Sequence, residues 1–211
     1  MVAAAEPEWT TSAREVTDLA IESIVAEQVH GPVTMGLAEV LVTHQVVGYL
    51  RTLHSGEVLD AIELDLPPQR LHTRAVYFTL APELVPALSE DRLPGALHAA
   101  EHAAIGLLPL VATCDRWDVG GVSTALHRDT GLPTVFVYDG NFGGAGFADR
   151  GFARLRIWLR ATREAIIACT CTHGCPSCIQ SPKCGNGNHP LDKEGALLVL
   201  DAVLEELHTA P

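Results

Sequence analysis

The sequence predicts an α+β fold, with a β-rich N-terminal half and a helical C-terminal half. In residues 33–80, runs of β-branched residues alternate with turn residues, which is typical of antiparallel strands. After Pro82, apolar residues recur at spacings of three and four, which is typical of helices packed on a core. The chain has 211 residues, of which 47% are hydrophobic, so it can bury a core without disulfide bonds. We place the boundary between the two halves at residue 82, giving segments 1–82 and 83–211.

In the N-terminal half, residues 18–29 fit either a strand or a helix face, because their apolar residues satisfy both spacings. The turn sequence His30-Gly31-Pro32 favours a strand, since it would join this segment to the extended run that follows. We therefore expect a hairpin here. Further extended segments are predicted up to Leu80, with turns at residues 54–56 and 67–68.

In the C-terminal half, we expect helices and two short strands. The first helix should begin at Pro94, because proline is favoured in the first turn, and should end near Cys114. Pro133 suggests an edge position for the strand that follows it. Asp192 is a good N-cap for the last helix. The remaining predicted elements are strands at residues 122–126 and 134–138, a helix at 152–168 with a buried stripe at Leu155, Leu159, Thr162 and Ile166, and a final helix ending near His208.

Five of the six cysteines fall between Cys169 and Cys184. The first ten residues contain no Lys or Arg, and the longest apolar run, residues 103–112, is well short of the roughly 20 residues that span a bilayer. We therefore expect a cytoplasmic protein with no membrane association. In a reducing compartment, clustered cysteines indicate metal binding more readily than disulfides.

The spacing of these cysteines predicts one zinc ion per chain. Cys175 and Cys178 form a C-x2-C pair, and the glycines and prolines around them allow the tight turns by which Cys171 and Cys184 would complete a tetrahedral site. Cys169 is a reserve ligand, and His173 and His189 are also near in sequence. Four thiolates leave no open position, so we expect a structural ion that joins the two C-terminal helices, without catalytic residues of its own.

The net charge of −12, from 14 basic and 26 acidic residues, repels polyanions at long range. Any contact with nucleic acid must therefore be local. Four basic residues are candidates for binding DNA phosphates, namely Arg156, Arg160, Arg163 and Lys183. The alternative is a solvated helix face whose arginines pair with nearby acids such as Asp149 and Glu164.

Several blocks of the C-terminal half resemble the zinc-binding domain at the C-terminus of MrfA-type superfamily II DNA helicases. Together they cover about residues 95–195. They are Glu101 to Leu110, Cys114 to Gly121, Tyr138-Asp139-Gly140 with Gly143 to Phe147, Gly174 to Cys178, Cys184-Gly185-Asn186 and Leu191-Asp192-Lys193.

The resemblance implies a C-terminal accessory domain of an ATP-dependent helicase that moves 3′ to 5′ on DNA and acts in DNA repair. Its partners would be helicase motor domains in the same polypeptide, and DNA in the context of that parent protein. The chain has no G-x-x-x-x-G-K-[ST] loop and no D-E-x-H motif, so we expect ATP and Mg²⁺ to bind only in the parent motor.

Two other functions fit parts of the sequence. The first is a stand-alone module whose zinc site docks a protein partner, which the acidic composition favours over free DNA binding. The second is a metal-dependent nuclease, because carboxylates with a histidine are suitable ligands for Mg²⁺ or Mn²⁺. Its candidate residues are Glu101, His102, Asp115, Asp118 and Asp139.

Overall fold

A computed structural model describes residues 7–209 of the chain. Within that range it has an antiparallel sheet of six strands and four α-helices, which confirms the α+β prediction. None of these helices combines the length and the apolar character that a membrane crossing requires. The elements are β1 (Trp9–His30), β2 (Val33–Leu53), β3 (Val58–Glu63), β4 (Gln69–Leu80), α1 (Leu93–Leu107), β5 (Val119–Thr124), β6 (Thr134–Asp139), α2 (Phe147–Ala153), α3 (Leu155–Ala168) and α4 (Lys193–Thr209).

The predicted hairpin at residues 30–32 is present and is very long. β1 pairs with β2 from Trp9 opposite Leu53 to His30 opposite Val33, with three irregularities in register along the way. A two-residue turn closes it, and Gly31 adopts a positive φ of 56°, which a glycine tolerates without strain. The sheet order is β1-β2-β4-β6-β5, and β3 pairs with the outer part of β2.

The expected edge position of the strand after Pro133 was wrong. β6 lies between β4 and β5, so it is an internal strand. Pro133 precedes the first ladder residue, Thr134, and its carbonyl accepts a hydrogen bond from the amide of Leu80 at 3.2 Å. A proline before a strand removes no donor from the ladder, which is why it does not force an edge.

Two helices differ from their predicted bounds. α1 ends at Leu107 and gives way to a 3₁₀ turn at Leu108–Leu110, because Pro109 has no amide hydrogen with which to continue the α-helical pattern. The helix predicted at 152–168 is two helices, α2 and α3, separated at Arg154. The predicted stripe of α3 is buried throughout, and Trp158 is buried with it.

The helices pack on one face of the sheet. α1 is rich in alanine on its buried side, so α3, α4 and the sheet can approach it closely. The indole Nε1 of Trp158 donates a hydrogen bond to the carbonyl of Ala104 at 2.8 Å and joins α3 to α1. This core also includes residues that flank the cysteines, such as Ile179, which is fully buried.

The opposite face of the sheet has a smaller core, covered by the β5–β6 loop. Leu19, Tyr77 and Phe136 are buried there. His127 Nε2 donates to the carbonyl of Leu19 at 2.9 Å, and the amide of Ile21 donates to Asp129 Oδ2 at 2.8 Å, so the loop is bound to β1. β4 pairs with β6, so the sheet contains strands from both predicted segments. The division at residue 82 stays a prediction.

Candidate metal centre

Four cysteine thiols meet where α3 leads into the connection to α4. The Sγ atom of Cys169 lies 3.5 Å from those of Cys171 and Cys175. Cys178 Sγ lies 3.5 Å from Cys171 Sγ and 3.8 Å from Cys175 Sγ. All six cysteines of the chain are free thiols.

This geometry fits a tetrahedral zinc ion. With Zn–S bonds of about 2.3 Å, the sulfur atoms of a regular tetrahedron are about 3.8 Å apart. The observed separations of 3.5 to 3.8 Å are close to that value and far above the roughly 2.05 Å of a disulfide. The four thiols can therefore hold one ion with little movement.

The local backbone explains how the thiols converge. α3 ends at Ala168, so Cys169 begins an extended segment beside the cluster. The carbonyl of Cys175 accepts hydrogen bonds from the amides of Cys178 and Ile179, which closes the C-x2-C turn. Gly174 has a φ of 106°, and a Cβ there would lie 2.4 Å from Ile179 Cδ1, so the turn requires glycine.

The thiols differ in acidity. Burial raises the pKa of Cys171, but hydrogen bonds with the neighbouring thiols outweigh it and bring the pKa to about 7. Burial raises the pKa of Cys178 to about 12. The Nζ atom of Lys193 donates to the carbonyls of Cys169 and Cys171 at 2.6 and 2.7 Å, which places a positive charge beside the cluster. That charge favours a site holding several thiolates.

The structure brings together three of the four predicted ligands, Cys171, Cys175 and Cys178. The fourth member of the cluster is Cys169, which the sequence suggested as a reserve. Cys184 belongs to a second group, with His98 and His102. The sequence spacing could not distinguish the two cysteines, because both lie within reach of the C-x2-C pair along the chain.

The second group lies between α1 and the connection after the cysteine cluster. Cys184 Sγ is 3.4 Å from His98 Nε2, and the rings of His98 and His102 are 4.2 Å apart at their centroids. A cavity of about 450 Å³ adjoins the group, and Glu101 lines it as well. Burial raises the pKa of Glu101 to about 7, although Ser123 Oγ donates to its carboxylate at 2.6 Å.

The sequence contains a signal for this group. His98-Ala99-Ala100-Glu101-His102 is an H-x-x-E-H pattern, the reverse of the H-E-x-x-H order, and both orders occur on helices that bind zinc. The third member is 82 residues further along, which no local spacing could indicate.

The predicted phosphate-binding residues differ in whether their charged groups are available to bind a ligand. Arg156 and Arg160 are exposed on α3, although Arg160 also contacts His208 at 3.2 Å. Arg163 forms an ion pair with Asp201. Lys183 is the least available, because its Nζ donates to the carbonyls of Val119 and Trp117 at 2.8 and 3.3 Å. Burial lowers the pKa of Lys183, in spite of nearby acidic residues.

Most of the acidic residues considered for a nuclease site have structural hydrogen bonds. The carboxylate of Asp139 is fully buried and accepts from the amides of Ala145, Phe147 and Ala148, at the start of α2. Asp115 and Asp118 accept from main-chain amides within their own turn. These bonds leave Asp139 little capacity to bind a metal ion.

An α+β fold with four thiols at tetrahedral distances defines the chain as a zinc-binding domain of the structural kind. The family described as the MrfA Zn-binding domain matches residues 100–179. An uncharacterized protein of Methanocaldococcus jannaschii is 36% identical over 113 residues, which cover 51% of this chain and 99% of that protein. The chain belongs to the MrfA zinc-binding domain family.

Longer relatives are helicases. The ATP-dependent helicase hrq1 of Schizosaccharomyces pombe is 26% identical over 215 residues, covering 93% of this chain and 20% of that protein. A crystal structure described as the DUF1998 helicase MrfA bound to DNA superposes with a TM-score of 0.70 at 27% identity, over 94% of this chain and 26% of that one. The chain thus spans a fifth to a quarter of the length of these helicases.

Proposed function

We propose that the chain is the C-terminal accessory zinc domain of an ATP-dependent superfamily II helicase that moves 3′ to 5′ on DNA and acts in DNA repair. One observation carries the proposal: nearly the whole chain corresponds to about a quarter of a helicase described as bound to DNA. The motor domains would supply the ATP and Mg²⁺ sites. A cytoplasmic location is part of the proposal, because a thiolate site requires reduced cysteines.

The sequence of the gene and its neighbours tests this directly. We expect a reading frame continuous with this chain, or one beside it, that encodes the G-x-x-x-x-G-K-[ST] and D-E-x-H motifs. In the protein so defined, Cys175→Ser should reduce DNA unwinding, whereas Cys114→Ser, outside both groups, should not. A genome with no such frame, or unwinding unaffected by Cys175→Ser, contradicts the proposal and favours a stand-alone protein-docking module.

We also propose that the ligands of the structural ion are Cys169, Cys171, Cys175 and Cys178. Their mutual distances support this set over the one that includes Cys184. Cobalt in place of zinc reports on it, because Co²⁺ bound by four thiolates has a characteristic absorption spectrum. Cys169→Ala should abolish that spectrum and Cys184→Ala should keep it. The opposite result would restore Cys184 to the four-thiolate site.

Direct contact with DNA phosphates is a further part of the proposal. The exposure of the side chains supports two of the four candidate residues. Arg156 and Arg160 are exposed on the same side of α3, so their guanidinium groups can reach a ligand. Arg163, by contrast, is paired with the carboxylate of Asp201, and Lys183 donates to main-chain carbonyls, whereas the contact of Arg160 with His208 involves no acidic group. We therefore assign the contact to Arg156 and Arg160.

A further inference from the structure

We propose that His98, His102 and Cys184 form a second zinc site, separate from the four-cysteine cluster and open to solvent at its fourth position. The three ligand atoms lie within 4.8 Å of one another. The inference does not depend on the helicase function, but it requires that Cys184 is not a ligand of the structural ion.

The hydrogen bonds of the two histidines leave the correct nitrogen free for a metal. His98 Nδ1 lies 2.8 Å from the carbonyl of Pro190, and His102 Nδ1 lies 2.9 Å from the carbonyl of Ile179. A carbonyl only accepts, so each Nδ1 carries the hydrogen, and each neutral ring presents an unprotonated Nε2. Histidines that bind metals usually donate their other ring nitrogen in this manner, which fixes the ring and its tautomer.

The distances between the ligand atoms suit zinc. Zn–N bonds of about 2.0 Å and Zn–S bonds of about 2.3 Å, at tetrahedral angles, place the two ligand atoms about 3.5 Å apart. Cys184 Sγ and His98 Nε2 are separated by 3.4 Å. Two imidazoles and one thiolate form a ligand set that binds zinc in preference to Mg²⁺ or Ca²⁺, which prefer oxygen ligands.

The surroundings of Cys184 favour a thiolate. Its Sγ accepts a hydrogen bond from the amide of Asn188 at 3.2 Å, which would stabilise negative charge on the sulfur. Asn188 is held in turn, because its side chain bonds both the amide and the carbonyl of Ser181, at 2.7 and 3.0 Å. When the ion binds, the thiol proton of Cys184 passes to solvent and the sulfur takes the metal in its place.

Three protein ligands leave one tetrahedral position, and the cavity lies beside it. His98, His102 and Cys184 all line this cavity, together with Glu101, Ser123 and Tyr138. The ligand for the open position is therefore a water molecule or a small molecule that enters the cavity. In this respect the site differs from the four-thiolate cluster, whose coordination shell is closed.

The main chain connects the two sites. Ile179, whose carbonyl accepts from His102, directly follows Cys178 of the cluster and is fully buried. His102 is itself only 5% exposed, on the inner side of α1. The core around Ile179 therefore holds this carbonyl in place, and with it the ring of His102.

X-ray absorption of the wild-type zinc protein tests the site without any substitution. We expect two zinc ions per chain and a clear Zn–N contribution at roughly 2.0–2.1 Å beside the Zn–S shell. One zinc ion per chain with sulfur neighbours only would overturn the proposal, and would leave a plain thiol–imidazole hydrogen bond between Cys184 and His98.

Substitutions then assign the ligands. His98→Ala and Cys184→Ala should each remove one zinc ion and the Zn–N signal while the all-sulfur site persists. The matched controls are His72→Ala and Cys114→Ala, which change a histidine and a cysteine outside both groups and should retain two ions. Cys175→Ser should lose the all-sulfur site and keep the Zn–N signal, which separates failure of one site from failure of the other. Two ions retained in both His98→Ala and Cys184→Ala would contradict the assignment.

Discussion

The carboxylate of Asp192 lies where the start of α4 meets the start of α1. Its Oδ1 accepts from the amide of Gly195 at 2.8 Å, so Asp192 is the N-cap that the sequence predicted. Its Oδ2 accepts from Arg92 Nε, also at 2.8 Å. Burial raises the pKa of Asp192, but the hydrogen bonds from Arg92 and Gly195 outweigh burial and hold this pKa below its ordinary value.

Replacing Asp192 should separate the capping contribution from that of charge. Asp192→Ala removes both and should lower the free energy of unfolding at pH 7 by about 1 kcal/mol, whereas Asp192→Asn keeps a good cap and should cost less. A lowered folded pKa means that the stabilisation is present above pH 3.8 and is lost as the pH falls through the folded value. Urea unfolding at pH 7 and at pH 3 measures both effects.

Glu194 supplies the matched control for Asp192. It also pairs with Arg92, at 3.3 Å, but its side chain is 81% exposed. Exposed ion pairs contribute little, so Glu194→Gln should leave stability almost unchanged. Equal losses from Asp192→Asn and Glu194→Gln would mean that the charge near Arg92, and not the position of the carboxylate, determines the effect.

Gly36 lets one tyrosine reach across three strands. Glu27, Gly36 and Tyr77 are opposite one another on β1, β2 and β4. The ring of Tyr77 lies over Gly36, and its hydroxyl donates to Glu27 Oε1 at 2.9 Å. A Cβ at Gly36 would be 2.1 Å from Tyr77 Cζ, so only glycine leaves room for the ring.

We therefore expect Gly36→Ala to destabilise the fold by about 1–3 kcal/mol, the usual cost of overpacking a filled core. The ring is the cause, so the same change in a Tyr77→Ala background should cost much less. A double-mutant cycle by thermal or urea unfolding measures this coupling. Additive effects of the two substitutions would show that Gly36 is required for another reason, such as its backbone conformation.

At the scale of elements, α3 presents opposite faces to the core and to solvent. Its buried stripe packs on α1 and α4, and Arg156 and Arg160 are exposed. If these arginines bind DNA, each releases about one counterion, and the slope of log affinity against log salt should become less negative by about 0.9 per residue. The double variant Arg156→Ala/Arg160→Ala should therefore change the slope by about 2.

Arg163 is the control for this experiment, because it lies on the same helix but is paired with Asp201. Arg163→Ala should leave the salt slope unchanged. Binding curves of the wild type and of both variants at several salt concentrations give the slopes. Equal salt slopes for the wild type and both variants would support the alternative, in which this face of α3 is solvated and does not contact DNA.

The outcomes for individual elements show what local sequence determines. The hairpin turn at Gly31, the stripe on α3 and the cap at Asp192 depend on residues close together in the chain, and the structure agrees with each prediction. The position of β6 depends on which strands pair with it, and Pro133 carried no information about that. The fourth thiol of the cluster likewise depends on where α3 stops, which sets Cys169 beside the other three thiols.

At the scale of the whole molecule, the metal centre takes the place of helices and strands in holding the connection between α3 and α4. The connection in residues 169–192, between α3 and α4, contains turns but neither a helix nor a strand. Connections of this length are uncommon in compact domains unless something else holds them. Here the cysteine cluster and Lys193, which bonds to the carbonyls of Cys169 and Cys171, hold the connection against the first turn of α4.

Removing zinc should therefore loosen one region before the rest. With a chelator, we expect amide hydrogen exchange to accelerate first in residues 169–192 and then along α4, because α4 loses its anchor at Lys193. β2 and β4 should keep their protection, since their hydrogen-bonded ladder and the smaller core on the face away from the helices do not involve the cysteines. Mass spectrometry of exchange with and without the chelator measures this, and adding zinc back should restore the slow exchange. Equal acceleration in the sheet and in the connection would mean that zinc stabilises the entire fold at once, and no change in either would mean that the helices hold the connection without it.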